Sequence, residues 1–506
     1  MNVLFVSIDS LRRDFLDTYQ DDPWCIEYEV DTTNLDRFAE RATVFNTHYA
    51  GSLPCMPARR EWLTGTQEFL WRPWGPIEPF DTTLPEALRH ADVMTKLITD
   101  HFHYFQHGSG GYFEDFNGFE FIRGHENDTW KTAPRSLDTS KLGFTTPDDP
   151  EGFGYNNPIQ YPRNTAEFDT ESDFFAPQVF STVADWLRSN QEWDEWFCYV
   201  DSFDVHEPFH IPEPYASMYT DEDPDDPDLT YWPAYGRTDR GQGELSDREL
   251  DFVRSQFAGK VTMVDRWFGR VLETIDDEQL WDDTMIIVTS DHGFFLGEHG
   301  WVGKPYKAPL YNVLAHTPLM IWHPEYQMEE HTALTAAVDI YSTVLDAFDV
   351  ADVDRRHSKS LLSLLSGSDD KIREWVLYGY WGSSVNLTDG RYTYLHPCDP
   401  EVDSDCYSTQ MVNPHSWFTP PDSQPAAESG QYLPYADCPV WRYSAPSYVR
   451  NDQPMLFDVK TDPEQLNDRS EDDQSIKERM QRLLQEALSE KDAPENQYDR
   501  LDLDPV

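Results

Sequence analysis

Residues 53–65 read LPCMPARREWLTG, Leu53 to Gly65, and set Cys55, Pro57 and Arg59 at fixed spacing ahead of a helix-like run that closes on Leu63-Thr64-Gly65. Proline is favoured at the first helical position, where its missing N–H costs nothing. Pro57 therefore predicts a helix start and places Cys55 just outside it. Amide N–H groups at such a terminus lack helical partners and favour an anion, and Arg59, one turn along, adds a fixed positive charge. A cysteine so placed is a candidate reactive centre. The ordinary alternative is a buried, inert thiol beside a proline-started helix.

Outward from this helix, short β-rich runs alternate with helical patterns: NVLFVSI at 2–8, VMTKLIT at 93–99, WFCYV at 196–200, TMIIVTS at 284–290 and PLMIW at 318–322. Apolar runs of this kind belong to strands buried on both faces of a parallel sheet. Leu250, Val253, Phe257, Val261, Val264, Phe268 and Val271 recur at helical spacing within 248–275, and Phe175, Val179, Val183, Trp186 and Leu187 do so within 173–189. Both read as packing helices without chemistry. Residues 132–172 and 212–246, rich in Pro, Asp and Gly, read as long irregular segments of the sort that border sites.

From about residue 373 the pattern changes to short aromatic strands, WVLYGYW and RYTYLHP, joined through Asp389-Gly390, a hairpin signal. A polar excursion at 398–450, a strand at 455–459, a helix at 472–489 and a frayed tail after Lys491 complete the reading. The fold class is α/β, with a catalytic domain at 1–372 and a smaller α+β domain at 373–506.

In doubly wound sheets ligands bind beyond the carboxyl ends of the strands. Four of the predicted strands end in polar residues: Asp9-Ser10, Asp100-His101-Phe102-His103, Asp201 with His206 shortly after, and Asp291-His292-Gly293. One such Asp is usually a cap, and one such His a satisfied surface group. Four together point to a site. Asp9, Asp291 and His292 make a divalent-metal set in which hard oxygen ligands dominate.

In this combination the chain resembles a type I sulfatase of the alkaline-phosphatase-like superfamily. FVSIDSLRRD resembles the first metal strand, TTNLDRFAERATVF the following helix, CMPAR the formylglycine motif, DSFDVHEPFH the substrate-histidine segment and TSDHGFFLGEHG the second metal motif. GKPYKAPLYNVLAHTPLMIW resembles the substrate-lysine segment and PMLFDVKTDPEQLND the C-terminal strand and turn.

The resemblance implies a central mixed sheet flanked by helices, with a small C-terminal sheet domain. It implies that a formylglycine-generating or anaerobic maturation enzyme converts Cys55 to Cα-formylglycine, whose hydrate carries two geminal hydroxyls. It implies a divalent metal held by Asp9, residue 55, Asp291 and His292, with Ca²⁺ first and Mn²⁺ second. Catalytic roles fall to Cys55, Arg59, His103, His206 and Lys304, and substrate contacts to His101, His206 and Lys304. The implied reaction is hydrolysis of a small-molecule or carbohydrate sulfate ester, with the Trp-, Tyr- and Arg-rich loops 104–135 and 398–450 forming the pocket.

Three departures stand out. Ser10 replaces a second carboxylate, His292 stands where Asn is common, and His101-Phe102-His103 replaces a Lys-x-His pair. Ser10 and His292 keep open a phosphodiester or phosphonate monoester hydrolase using the same nucleophile. A non-catalytic sulfatase-like binding protein with unmodified Cys55 is the third reading.

The 506 residues carry 93 acidic against 39 basic groups, a net −54, spread along the whole length. Such a surface repels itself in dilute buffer and resembles that of salt-in halophilic archaeal proteins. Its field has the wrong sign for nucleic acid or an anionic membrane. No apolar run reaches bilayer length, and no secretory signal precedes the first strand, so the expected compartment is the cytoplasm. Six scattered cysteines do not make a disulfide framework, and Cys398 and Cys406, the one plausible local pair, read more simply as thiols.

Overall fold

All five apolar runs meet in one eight-stranded sheet. Its order is Glu330–His331, Thr43–Phe45, Leu319–Trp322, Thr284–Thr289, Asn2–Ile8, Trp196–Ser202, Met94–Thr99, Gly118–Phe121. The structure, a computed structural model, describes residues 1–19, 24–132, 139–143, 158–326, 330–351, 357–413 and 426–505.

Successive side chains of a strand point to opposite faces, and here both faces are covered. Val3, Phe5, Leu97, Tyr199 and Ile287 pack with Trp62, Leu84 and Ile340 on one side. Leu4, Val6, Ile98, Val200 and Val288 pack with Phe38, Val183 and Val264 on the other. The helices Cys55–Thr64, Leu84–His90 and Asp339–Ala347 therefore cover the first face, and Thr33–Ala39, Phe175–Asn190 and Asp247–Asp277 the second. The longest of these starts at a capping box in which Ser246 and Glu249 satisfy each other's orphan amides.

One strand departs from the parallel reading: Leu319–Trp322 runs antiparallel to Thr284–Thr289. It is apolar like its neighbours, but the chain reaches it from the carboxyl edge without a crossover, so it can only return. Thr43–Phe45 pairs antiparallel to it in turn, which makes the sheet mixed.

The helix after Leu53 also begins earlier than its proline suggests. It spans Cys55–Thr64, so Cys55 is its first residue instead of lying outside it, and Pro57 occupies a later place in the first turn. Proline is tolerated there because none of the first four N–H groups has an intrahelical partner. Gly65 ends the helix at φ 68°, where a Cβ would press on the Tyr341 ring at 2.6 Å.

The C-terminal region holds a four-stranded antiparallel sheet, Val376–Gly379, Val385–Thr388, Tyr392–His396 and Met455–Asp458, with helix Gln474–Glu490 against it. The excursion at 398–450 is not irregular throughout. Ser404–Ser408, Val440–Ala445 and Ala427–Gly430 pair into a second, three-stranded sheet. Nor is the tail frayed: Glu495–Leu501 is helical, Arg500 is buried, and Gln497 Nε2 donates to Leu70 O at 2.6 Å. Residues 212–246 are mostly turns around two-residue strands, whereas much of 132–172 lies outside the described residues. All six cysteines are free thiols, Cys398 and Cys406 included. Among the described residues no helix is long and apolar enough to cross a membrane.

Candidate active site

Four adjacent parallel strands, Thr284–Thr289, Asn2–Ile8, Trp196–Ser202 and Met94–Thr99, end on the same edge and deliver Asp291, Asp9, Asp201 and the His101–His103 turn. The N-terminus of helix Cys55–Thr64 delivers Cys55 and Arg59 to that edge. The donor atoms of Asp9, Cys55, Asp291 and His292 lie within 4.8 Å of one another, and all four residues are buried.

Cys55 Sγ is 3.3 Å from His292 Nε2. The other ring nitrogen, Nδ1, donates to Gly293 O at 3.0 Å, which fixes the tautomer and leaves Nε2 with its lone pair toward the cysteine. Burial, with the cations Lys304 and Arg59 adding to it, pushes His292 down to about 3, so the ring is neutral. Burial and the neighbouring Asp291 carboxylate push Asp9 well above the usual range. Burial acts the same way on Asp291, but His292 and Arg59 outweigh it and hold that group low. Two converging carboxylates, one of them reluctant to ionise, and an imidazole lone pair are a donor set that fits a divalent cation.

Arg59 organises this set. Its guanidinium pairs with Asp201 at 2.8 Å, with Asp9 at 2.9 Å and with Asp291, and donates to Cys55 O at 3.1 Å. Burial opposes ionisation of Asp201, yet Arg59 and His101 override it and keep that carboxylate strongly acidic. Ser10, at φ 60°, donates its hydroxyl to Asp9 at 2.8 Å and its amide to Asp291 at 3.1 Å. Lys304 Nζ reaches Ser10 Oγ at 3.4 Å and lies over the rings of Phe294 and Tyr235. Burial would strip Lys304 of its proton, but Cys55, Glu207 and Asp9 face it and hold it above its ordinary value.

Three of the four sequence-predicted histidines gather around one ring, Phe203, with centroids at 4.4 Å for His101, 5.4 Å for His103 and 4.2 Å for His206. His206 Nδ1 donates to Glu207 O at 2.8 Å. His101 Nδ1 donates to Asp201 at 3.2 Å, and its buried Nε2 has no hydrogen-bond partner among the described residues. Behind His206, Asp100, His125 and Asp204 also converge. There Lys260 supplies the cation, pairing with Asp204 and donating to His206 O at 2.7 Å and Pro208 O at 2.8 Å.

Every residue assigned to the site from sequence thus lies on this one edge. Sequence reasoning missed Phe203, Lys260, Glu126, Glu207 and Tyr104, whose hydroxyl donates to Asp201 at 2.9 Å. Phe203 and Glu207 lie within DSFDVHEPFH and Tyr104 and Glu126 within the loop 104–135, but no spacing singles them out. Of the two loops expected to form a pocket, the first contributes His125 and Glu126, while 133–135 and 414–425 lie outside the described residues. The second places Tyr448 against Tyr306 at 5.7 Å and Arg450 over Tyr380 at 4.1 Å. A cavity of about 830 Å³ lies apart from the site, between Arg13, His316 and the Asp389-Gly390 hairpin.

Residues 1–350 match the sulfatase family. The chain belongs to that family. The sulfatase is 26% identical to the multifunctional alkaline phosphatase superfamily protein PehA of Trinickia caryophylli, over 78% of this chain and 87% of that protein. It is 22% identical to arylsulfatase K of Gallus gallus, over 92% of this chain and 78% of that one. Its fold matches the phosphonate monoester hydrolase of Agrobacterium radiobacter with a TM-score of 0.65 at 18% identity, covering 97% of this chain and 96% of that one. As a sulfatase the protein is an enzyme of the sulfuric ester hydrolase class.

Proposed function

We propose that the enzyme hydrolyses sulfate esters through a Cα-formylglycine made from Cys55, with a divalent metal held by Asp9, Asp291, His292 and residue 55. The observation that carries this reading is the convergence of Cys55 with Asp9, Asp291 and His292 beside Arg59. Together the two groups supply a nucleophilic hydroxyl, a second hydroxyl that later expels the bound sulfuryl group, and positive charge where negative charge develops.

The chain's own residues do the rest. Arg59 holds Asp9, Asp201 and Asp291 in place and keeps Asp201 and Asp291 ionised. Asp291, held acidic, orients the reacting hydroxyl by accepting from it. Lys304 stays protonated and, with His206 and His103, lines the side on which sulfonyl oxygens are neutralised. Burial of the whole set excludes water that would screen these charges. The proposed substrate is a small-molecule or carbohydrate sulfate ester, and a maturation enzyme is the required partner. The domain division at 372/373 and the cytoplasmic location are part of the same proposal.

Peptide mass spectrometry around residue 55, on protein from its own host, is the direct test. An aldehyde in place of the thiol is expected; active protein carrying only Cys55 overturns the mechanism.

Ser10 and His292 favour a second reading, a phosphodiester or phosphonate monoester hydrolase with the same nucleophile. PehA and the Agrobacterium hydrolase are relatives whose names fit it. An imidazole ligand also suits Mn²⁺ better than Ca²⁺. Turnover ratios on aryl sulfate, phosphodiester and phosphonate substrates, each with Ca²⁺ and with Mn²⁺, separate the two.

A further inference from the structure

His103 and Glu126 face each other, with His103 Nε2 3.4 Å from Glu126 Oε2. The Nδ1 atom of the same ring bonds to the side-chain oxygen of Gln106, an acceptor, so Nδ1 carries a hydrogen. A neutral imidazole would then leave an unprotonated Nε2 beside a carboxylate oxygen. Two acceptors in such contact need one proton between them, either as imidazolium with carboxylate or as imidazole with carboxylic acid.

Glu126 is built to keep that contact. Asn127 Nδ2 donates to its Oε1 at 2.9 Å, while among the described residues its buried Oε2 has no formed hydrogen bond, and the 3.4 Å approach of His103 Nε2 is its ion-pair contact. Its backbone sits at φ 44°, a left-handed conformation that a residue with a Cβ rarely adopts and that persists where surrounding structure imposes it. The charged groups facing Glu126 are Glu207, Lys304 and Asp9; those facing His103 are His101, Lys304 and Arg59. Burial, then Glu207, pushes Glu126 well above its ordinary range. Burial, then His101, pushes His103 well below its own. Both favour the carboxylic acid beside a neutral ring.

We propose that the Glu126–His103 pair stores the proton delivered to the bridging oxygen when the alcohol departs, with Glu126 acting as a positioning residue through His103. This rests on the ester-hydrolase reading above. As the S–O bond to the alcohol breaks, its electron pair stays on the bridging oxygen. That oxygen takes the proton from Nε2, to which it has crossed from Glu126 Oε2. Neutral alcohol leaves, His103 is neutral, Glu126 is a carboxylate, and the pair regains a proton from water between turnovers. Such help matters for a poor leaving group and hardly at all for a stable phenolate.

The test is Glu126→Gln, which keeps shape and an amide donor but has no transferable proton. Wild type and variant, each with formylglycine content confirmed by mass, are compared on phenyl sulfates running from 4-nitrophenyl to 4-methoxyphenyl. Loss in kcat/KM should grow along the series, from less than about threefold to about a hundredfold, and the alkaline limb of the pH profile should vanish. A uniform loss, or none, overturns the proposal. A second readout needs no turnover: in protein labelled with ¹⁵N-histidine, the His103 Nε2 resonance should report a shared proton in wild type and lose that signature in the variant. An identical resonance in both also overturns it. A wild type carrying formylglycine that turns over neither sulfates nor phosphonates ends the ester-hydrolase reading instead, and the resonance still decides whether the pair shares a proton.

Discussion

Arg59 touches three carboxylates because a planar guanidinium offers five donors in a fixed fork, which an ammonium on a flexible stem does not. The order of importance around it follows from charge. Replacing Asp291 by Asn removes a charged donor and leaves Arg59 and His292 facing an amide, so activity should fall by roughly two to three orders of magnitude and bound metal should be lost with it. Ser10 supports Asp9 and Lys304 through a hydroxyl instead, and Ser10→Ala should cost about tenfold with metal retained. Metal content and kcat/KM measured on both variants check this; equal losses would make Ser10 a ligand. Asp9, Asp291 and His292 were legible in the sequence because each directly follows an apolar strand, where the topology forces a common edge. Glu126 was not. It lies in a loop with no periodicity, and only the fold turns that loop back so that Glu126 meets His103.

Helix Cys55–Thr64 shows what can be read of an element and what cannot. Its existence follows from the Cys55–Pro57–Arg59 spacing, but its starting residue does not, since proline is accepted anywhere in the unpaired first turn. Glu61, one turn from the helix end, is fully buried and accepts from the Ser52 amide, tying the helix to the loop that leads into Cys55. Burial pushes Glu61 up to about 8 from its ordinary 4.5. A folded carboxyl titrating above its unfolded value stabilises the fold fully below the unfolded value, and that stability is lost as pH rises through the folded one. Wild type should therefore weaken between about pH 4.5 and 8 through this group. Glu61→Gln keeps the acceptor for Ser52 and cannot ionise, so its melting temperature should exceed that of wild type at pH 8.5 by more than at pH 5. A difference independent of pH would mean that Glu61 stays ionised in the fold. The strands Ser404–Ser408 and Ala427–Gly430 escaped notice for a different reason: they are polar and short, and without an apolar alternation nothing distinguishes them from loop.

At the scale of the molecule, the C-terminal sheet supports the segment that leads into Cys55. Leu53 N donates to Gly379 O at 2.9 Å and Gly379 N to Gly51 O at 3.0 Å, while Phe69, Leu70 and Trp71 share a core with Leu377, Tyr394 and Leu456. A chain ending at Ile372 should accordingly lose activity and expose that apolar cluster, measurable as dye binding and a lowered melting temperature; a fully active fragment would separate the two regions functionally. The surplus of 54 negative charges acts on the whole chain at once. At 1 M salt the Debye length is roughly 3 Å and like charges on the surface no longer see one another; in dilute buffer they do, and the compact state bears the repulsion. The protein should be folded and active in molar KCl and lose circular dichroism and hydrolysis together as KCl is dialysed away. Divalent metal must be held saturating throughout, because loss of the proposed metal would imitate the effect. Potassium and sodium should serve equally, since screening depends on ionic strength and not on the ion. If structure and activity survive in millimolar salt, self-repulsion is not limiting, and surface networks such as Arg248 with Glu222 and Asp226 absorb the charge.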